Sequence, residues 1–324
     1  MSVCTQNIYI TLQAKANTNG ILSYADYTRI ALYDPIHGYY AKDKQRVGLT
    51  AEADFYTASS LNPVFGKLLR SAAKKLLGAS FADHTFVEIG AEPGRNLFNE
   101  GLCYHLGDTV TLPQKAIVFA NELLDAQPFN RFVFKEGRWQ ELGVRVHAEQ
   151  LEEVTLPEPT EALESLLPSL PKNMPEGYLF DISLEAETLL ESLLNTSWSG
   201  LIMLFDYGKT WQELLTNSPA GTARAYYKHT LSNKLLERPG EQDLTTHVCW
   251  DRCEGLLQNA GLNPTKLERQ EAFFVNHAQE AISKIITDNA QGLSQELQSL
   301  KELLHPHHMG QKFQVLWGKT QSTN

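Results

Sequence analysis

Cysteine is scarce in this sequence, which excludes a protein held together by disulfides. The 324 residues include four scattered cysteines, Cys4, Cys103, Cys249 and Cys253. Small domains that depend on disulfides carry them far more densely. Cys249 and Cys253 are one helical turn apart, but a zinc site needs a second pair of ligands, and the sequence does not supply one. We therefore predict reduced thiols and no metal.

Long apolar runs are also missing. No stretch approaches the roughly 20 apolar residues that a membrane-spanning helix needs. Residues 1–20 lack the basic run and the apolar segment of a signal peptide. These absences predict no membrane insertion and a cytoplasmic location.

Positive charge is in deficit. The sequence has 28 lysines and arginines against 38 aspartates and glutamates, which gives a formal net charge of −10. We therefore expect no nucleic-acid partner, although a local basic patch stays open. Motifs for a phosphate-binding P-loop and for a serine or cysteine nucleophile are absent as well. The remaining composition is that of a globular protein with a large core, in one elaborated domain or two smaller ones.

Three short apolar runs predict buried parallel strands, at residues 85–90, 116–120 and 201–205. Each run ends in a polar cluster. Ligands of doubly wound sheets bind at the carboxyl ends of the strands, so we expect the three clusters to converge on one binding crevice. The clusters are residues 88–94, residues 121–122 and residues 206–208.

Helices and a hairpin are predicted around these strands. A helix over residues 24–33 has Ser23 as its N-cap, and a second helix over residues 62–77 ends at Gly78. The polar residues 37–57 between them predict a long loop. Further predictions are a hairpin at residues 131–146 and an exposed connection with a little helix at residues 149–177. Strands are expected at residues 267–275 and 313–317, around a helical segment at residues 278–304.

Gly90 and Gly94 lie in a turn between the first strand and a helix expected over residues 95–106. Glycine lets a nucleotide-like ligand approach the backbone N–H groups of such a turn. The pattern is weak by itself, because an ordinary strand-to-helix turn has the same residues.

Glu122 and Asp125 follow the second strand. If a helix begins there, the two carboxylates share a face and could hold a cationic group such as a guanidinium. Helix capping is an equally good explanation of this pair. A lone histidine such as His247 is more often structural than catalytic.

Longer motifs resemble those of the MidA-like methyltransferase family across nearly the whole chain. Residues 31–40 read Ala-Leu-Tyr-Asp-Pro-Ile-His-Gly-Tyr-Tyr, and residues 120–126 read Ala-Asn-Glu-Leu-Leu-Asp-Ala. Such ordered long motifs are far more specific than a glycine pattern. Further matches are Asp54-Phe-Tyr-Thr57, Phe65-Gly66, Asp206-Tyr-Gly208, Gly221-Thr222, Arg224-Ala-Tyr226, His229, Pro239-Gly-Glu-Gln-Asp243, Met309-Gly310 and Phe313.

The resemblance implies an α/β fold with a Rossmann-like class I methyltransferase sheet and helices on both faces. It implies that residues 1–80 form an N-terminal helical extension packed on the core. Residues 81–324 would form the methyltransferase-like domain, with an inserted segment at about residues 209–250. Only 33 positions lead from Glu88 to Asn121, which favours a truncated sheet.

The family resemblance also implies an S-adenosyl-L-methionine-dependent methyltransferase that methylates a protein side-chain nitrogen, that of arginine, as in complex I assembly. The protein substrate would then be a respiratory complex subunit. Positioning and a dry pocket would contribute more to this reaction than proton transfer. The implied catalytic residues are Glu122, Asp125, Asp206 and Tyr207, and the implied cofactor-binding residues are Asp54, Thr57, Glu88, Gly90, Gly94 and Asn121.

Two departures keep an alternative open, a non-catalytic binding or assembly protein that has lost the cofactor. Glu92 stands where the family has a glycine, and its bulk and charge should weaken cofactor binding. The acid that binds the cofactor's ribose also has no counterpart, and we disfavour Asp108 because no strand pattern precedes it. A nicotinamide dehydrogenase is a poorer hypothesis, because it too needs an acid after its second strand.

Overall fold

The structure is a computed structural model that describes residues 3–41, 58–91, 96–98, 100–290, 292 and 294–320. Asp54, Thr57, Glu92 and Gly94 lie outside these residues, so their expected roles stay predictions. The described strands are β1 (Ile21–Ser23), β2 (Thr85–Ile89), β3 (Leu102–Tyr104), β4 (Lys115–Asn121), β5 (Asn130–Lys135), β6 (Arg138–His147), β7 (Gln150–Thr155), β8 (Leu179–Ile182), β9 (Ser199–Asp206), β10 (Gly208–Lys209), β11 (Arg224–Tyr227), β12 (Thr230–Ser232), β13 (Asp243–Thr245), β14 (Val248–Cys249), β15 (Leu262–Arg269) and β16 (Gln314–Thr320).

Helices complete a mixed α/β architecture, as expected. Short 3-10 turns lie at Ala58–Leu61, Gly78–Asp83 and Leu167–Ser169, and a π-helical turn at Pro306–Gly310. The α-helices are α1 (Val3–Lys15), α2 (Tyr24–Tyr33), α3 (Val64–Leu77), α4 (Glu161–Leu166), α5 (Leu184–Leu194), α6 (Trp211–Thr216), α7 (Trp250–Asn259), α8 (Gln270–His277), α9 (Gln279–Asp288) and α10 (Gln295–Leu304).

The chain folds into two compact units. The first unit consists of Met1–Phe55, Leu124–Thr188 and Lys209–Cys249. The second consists of Tyr56–Leu123, Leu189–Gly208 and Trp250–Asn324. The division into residues 1–80 and 81–324 stays a prediction.

The second unit is built on a sheet whose described strands run in the order β15-β16-β9-β4-β2-β3. Strands β3, β2, β4 and β9 are parallel, whereas β16 is antiparallel to β9 and β15 is antiparallel to β16. In β4 the five residues Ala116 to Ala120 are all buried. A strand covered on both faces has this continuous apolar pattern, so the expected parallel strands are confirmed.

Helix α3 supplies part of the core of the second unit. The helix ends at Gly78, whose φ of 59° suits glycine, and the expected helix over residues 62–77 is confirmed from Val64 onward. Its Phe65 ring packs 5.8 Å from that of Phe119, 5.4 Å from that of Phe205 and 5.9 Å from that of Phe274. These edge-on contacts favour one arrangement of the helix on the sheet.

The first unit contains a second sheet, in the order β1-β6-β5-β8, with β7 also paired to β6. The hairpin of β5 and β6 turns at Glu136 and Gly137, whose φ values are 56° and 73°. Positive φ at both turn residues matches the twist of the strands, and the expected hairpin is confirmed. Ser23 caps α2 by accepting a hydrogen bond from the backbone N–H of Asp26, also as expected.

A buried ion network ties the first unit together. The carboxylate of Asp181 accepts hydrogen bonds from the backbone N–H groups of Thr222 at 2.7 Å and of Ala223 at 2.8 Å. Its other oxygen lies 3.7 Å from Nε of Arg131. A Cβ at Gly221 would lie 2.3 Å from the same carboxylate, so the Gly221-Thr222 motif is explained by packing on Asp181.

Two sequence-based assignments were wrong. Residues 96–98 and 100–106, where a helix was expected, contain no helix, and Leu102–Tyr104 forms strand β3 instead. Three residues carry too little periodicity to reveal a strand that depends on pairing with β2. The strand expected over residues 267–275 ends at Arg269, and helix α8 begins at Gln270. The apolar run of α8 resembled a strand because a short buried helix has the same composition.

Candidate functional site

The register of the second unit brings the ends of three parallel strands to one edge of its sheet. Ile89 of β2 pairs with Ala120 of β4, and Asn121 of β4 pairs with Phe205 of β9. The residues that follow these ends are therefore aligned along this edge. They are Gly90, Glu122, Asp206 and Tyr207, all among the expected site residues.

Glu88 lies near the end of β2 and is buried. Its Oε2 accepts a hydrogen bond from the backbone N–H of Leu97 at 3.0 Å. Burial raises the pKa of this carboxyl, and the Leu97 N–H and His105 offset only part of the shift. The carboxylate thus ties the segment after the turn to β2.

Gly90 begins the turn that follows β2, with a φ of 76°. A Cβ at this position would lie 2.7 Å from Cδ1 of Leu123. The backbone N–H groups of Gly90 and Ala91 both donate to the carbonyl of Tyr104 in β3. This left-handed conformation favours glycine, and a Cβ here would have to displace the Leu123 side chain.

Asn121 ends β4, the strand between β2 and β9, and Glu122 follows it. The N–H of Glu122 donates to the carbonyl of Phe205 at 2.9 Å, and its φ of 51° turns the chain sharply away from the strand. Nδ2 of Asn121 donates to Oε1 of Glu122 at 3.0 Å. Oδ1 of Asn121 is buried and has no hydrogen-bond partner in the described part of the chain. A left-handed backbone outside glycine is strained, and such strain is concentrated at functional positions.

Asp206 and Tyr207 end β9 on the other side of β4. Asp206 is 1% exposed, and its Oδ1 accepts a hydrogen bond from the N–H of Tyr207 at 2.8 Å. The ring of Tyr207 meets that of Phe313 edge-on, with centroids 5.8 Å apart. Burial and packing therefore fix both side chains at the sheet edge.

Asp125 belongs to the first unit, and the helix that would have placed it on one face with Glu122 does not form. Residues 122–127 form bends and turns, because the left-handed φ of Glu122 is incompatible with starting an α-helix there. Asp125 is buried, and its backbone carbonyl accepts the N–H of Thr246 at 2.9 Å. In the same unit, burial raises the pKa of Tyr33, and the charges of Asp243 and Asp125 raise it further.

The expectation that no strand precedes Asp108 was wrong, because strand β3 ends four residues before it. Oδ2 of Asp108 accepts the N–H of His105 at 2.7 Å. Nδ1 of the His105 ring lies 2.8 Å from the carbonyl oxygen of Ala91 in the Gly90 turn. Sequence reasoning missed His105 because β3 was too short to be recognised. Both residues follow β3, which is the neighbour of β2 in the sheet.

His247, in the first unit, is partly buried and lies near two cations. Burial, followed by the charges of Lys209 and Arg224, lowers its pKa to about 4. Its backbone N–H donates to Oγ1 of Thr222 at 3.4 Å, and the imidazole is neutral near pH 7. These contacts agree with the structural interpretation of this histidine.

The second unit gathers polar groups at the sheet edge where its parallel strands end. The Gly90 turn packs against the Leu123 side chain, and Oδ1 of Asn121 is buried without a hydrogen bond to a described residue. Glu88 and Asn121 can accept N–H or O–H groups at the same edge. Among the described residues, no group of histidine, cysteine or acidic side chains could hold a metal ion, and no helix is long and apolar enough to cross a bilayer.

Comparison with known proteins places these features in context. A family model described as "Putative S-adenosyl-L-methionine-dependent methyltransferase" matches residues 67–267, more than half of the chain. The mitochondrial protein arginine methyltransferase NDUFAF7 of Danio rerio is 24% identical, with 97% of this chain and 87% of the relative covered. Its Drosophila melanogaster homolog is 23% identical, with 94% and 83% covered.

A solved structure shares the fold. The crystal structure of a Burkholderia thailandensis protein bound to S-adenosyl-homocysteine matches 98% of this chain and 92% of its own, with a TM-score of 0.85. The two sequences are 23% identical. The likeness therefore shows a common fold over almost the entire chain.

Proposed function

We propose, given that this chain belongs to the S-adenosyl-L-methionine-dependent methyltransferase family, that it transfers a methyl group to an arginine side chain of a protein. The resemblance to MidA-like methyltransferases is thereby confirmed, and the chain is an S-adenosyl-L-methionine-dependent enzyme. Support for a protein arginine as acceptor comes from the names of the zebrafish and fly relatives. The observation that carries the proposal is the Asn121-Glu122 pair at the end of β4.

We further infer that the sheet of the second unit, with its six described strands, is a Rossmann-like methyltransferase sheet that lacks one edge strand. Its four parallel strands followed by the antiparallel pair β16 and β15 support this inference. The short path from β2 to β4 passes through β3 alone in the described residues. The missing strand would have extended the sheet beyond β3.

Residues at the edge of the second unit would hold the cofactor. Gly90 would let it approach the backbone, while Glu88 and Asn121 would accept its hydrogen-bond donors. Asp54, Thr57 and Gly94 are proposed for the same role from the family motifs. When bound, the cofactor supplies a sulfonium methyl group for transfer.

Glu122 would orient the guanidinium of the acceptor arginine. A carboxylate binds the planar N–H groups of a guanidinium with charge-assisted hydrogen bonds, and its own backbone is fixed to Phe205. Asp206 and Tyr207 would close the pocket and exclude water. The catalytic role of Asp125 stays a prediction from the sequence motif. Correct placement of the nucleophilic nitrogen lowers the barrier to attack on the methyl carbon.

The biological partner is a further part of the proposal. We propose a protein substrate, and a respiratory complex subunit follows only from the family resemblance. The relatives are named mitochondrial, whereas for this chain a cytoplasmic location stays a prediction.

A methylation assay with labelled cofactor tests the proposed function. The full-length protein is incubated with S-adenosyl-L-methionine labelled in its methyl group and with arginine-containing and lysine-containing peptides. We expect label in methylarginine after acid hydrolysis of the peptides. Label confined to methyllysine, or transferred only to small molecules, would contradict an arginine acceptor.

The matched variants are Glu122→Gln and Glu152→Gln. Losing the charge at Glu122 should lower methyl transfer by about 100-fold, because a preorganised electrostatic contact is removed. Glu152, an exposed residue of β7, serves as the control and should leave the rate unchanged. Circular dichroism of both variants would show that the fold is retained. Full activity in Glu122→Gln would remove this residue from the mechanism.

A further inference from the structure

We propose that Asn121 is a positioning residue for Glu122, with its amide nitrogen holding the Glu122 carboxylate and its carbonyl oxygen accepting an N–H from the nitrogen group bound at this sheet edge. Only the identity of that nitrogen group rests on the proposed function. The arrangement of the two side chains stands on the structure of the second unit.

The orientation of the Asn121 amide is fixed by its neighbour. Nδ2 of Asn121 donates to Oε1 of Glu122 at 3.0 Å. If the amide were flipped, Oδ1 would face the carboxylate oxygen, and two acceptors would repel each other. The bond to Glu122 therefore fixes which end of the amide carries the acceptor.

The acceptor end of this amide lies in a buried position. Oδ1 of Asn121 is buried and makes no hydrogen bond with any described residue. A buried polar atom without a hydrogen bond destabilises the folded state. Folding alone would favour an apolar residue at the end of β4, so the cost points to a donor that arrives with a ligand.

The backbone that carries Asn121 and Glu122 is bonded to β9. Asn121 pairs with Phe205 in the sheet, and the N–H of the next residue, Glu122, donates to the carbonyl of Phe205. The left-handed φ of Glu122 then points the chain away from the strand. The two side chains thus start from a backbone held on β9, which lets one amide orient one carboxylate.

Two nitrogen groups could supply the N–H. One is the amino group of the cofactor, and the other is the guanidinium of the acceptor arginine. Both groups carry several N–H hydrogens and are planar or cationic. Both would therefore donate a hydrogen bond to an acceptor oxygen beside a carboxylate. The two sources are separated by experiment.

The positioning of Glu122 is tested without any ligand, by following its carboxyl titration with carbon-13 NMR of the labelled full-length protein. Glu122→Gln assigns the resonance. In Asn121→Asp we expect the titration midpoint to rise by at least about one pH unit, because a neighbouring carboxylate opposes ionisation. In Asn121→Ala we expect a smaller rise, because only the donor is lost. An unchanged midpoint in both folded variants would overturn the proposal.

A matched control is available in the same unit. Nδ2 of Asn289 donates to Oε2 of Glu296 at 3.2 Å, so Asn289→Asp makes the same chemical change beside another glutamate. It should leave the titration of Glu122 unchanged. A shift of the Glu122 midpoint in this control would mean that general destabilisation, and not the local amide, explains the Asn121 result.

The acceptor oxygen is tested by comparing Asn121→Ala with Asn121→Asp, which keeps an oxygen in place. If the cofactor is the donor, Asn121→Ala alone should weaken S-adenosylhomocysteine binding at least tenfold in calorimetry. If the substrate is the donor, that affinity stays constant and the KM for an arginine-containing peptide rises instead. If neither changes, Oδ1 accepts nothing and that half of the proposal fails. The NMR result holds even if no peptide is methylated.

Discussion

Buried polar groups are used differently in the two units. In the first unit, Asp181 receives two backbone N–H groups on one oxygen and faces Arg131 with the other. In the second unit, Asn121 keeps a buried oxygen without a partner in the described residues, and its neighbour Glu122 has a strained backbone. Asp181 and Arg131 hold the first unit together through backbone bonds and opposite charge, although Oδ1 of Asp181 and Nε of Arg131 make no hydrogen bond with the described residues. A neutral amide at a strand end, beside a residue with a strained backbone, is suited to a ligand.

The largest effect on stability should come from breaking the Asp181 network. Asp181→Ala would leave the buried Arg131 without its main counter-charge, and should lower the free energy of unfolding by about 3 to 5 kcal/mol. Asp181→Asn keeps an acceptor for the backbone N–H groups and should cost less. Urea unfolding measures both. A loss below about 1 kcal/mol in Asp181→Ala would mean that the network does not hold the fold.

Affinity of the folded protein for S-adenosylhomocysteine is the second readout for Asp181. We expect it to be unchanged in Asp181→Asn, because this network has no part in the proposed cofactor site. A tenfold loss of affinity in a folded variant would contradict the separation of structural from binding groups.

A substitution at Gly90 should, in contrast, lower the affinity for S-adenosylhomocysteine. Gly90→Ala adds a Cβ 2.7 Å from Leu123 at a φ of 76°, and the left-handed conformation alone costs about 1 to 2 kcal/mol. We expect at least a tenfold weaker S-adenosylhomocysteine affinity in calorimetry. Gly137→Ala is the control, since Gly137 has a φ of 73° and nothing within 4 Å of the added Cβ. Equal losses of affinity in both variants would refute the role of the Gly90 turn.

A smaller effect is expected from His247 and pH. Its folded pKa of about 4 lies below the usual value of 6.5, so the unfolded chain binds the proton more readily. Stability from the neutral imidazole is therefore present above pH 6.5 and is lost as the pH falls toward 4. Between pH 7 and pH 5 the loss should be roughly 2 kcal/mol.

Urea midpoints of the wild type and of His247→Gln at the two pH values check this expectation. The variant has no imidazole to protonate, so its stability should depend less on pH. If both proteins lose the same stability between pH 7 and pH 5, His247 is not the group responsible.

Much of the fold could be predicted because local signals agreed with tertiary packing. Ser23 caps α2, Glu136 and Gly137 form the hairpin turn, and α3 ends at Gly78. Each of these residues has a local conformational preference that needs no distant partner. The apolar run of β4 was recognisable because both faces of the strand are covered.

The rest depended on contacts that local sequence does not encode. Strand β3 exists because three residues pair with β2, and the helix expected in its place was a reasonable inference from a glycine turn. The strained φ of Glu122 prevents the helix that would have aligned Glu122 with Asp125. The bond between Asn121 and Glu122 could not be read from the motif, because adjacent residues of a strand normally point to opposite faces.

Calorimetric titration of the full-length protein with S-adenosylhomocysteine tests the central claim most directly. The claim is that the edge formed by Gly90, Asn121 and the end of β9 in the second unit holds the methyl-donor cofactor. We predict binding at micromolar ligand that is weakened in Gly90→Ala and retained in Gly137→Ala. No binding at millimolar ligand would contradict the claim, and would favour a binding or assembly protein that keeps the fold without the cofactor.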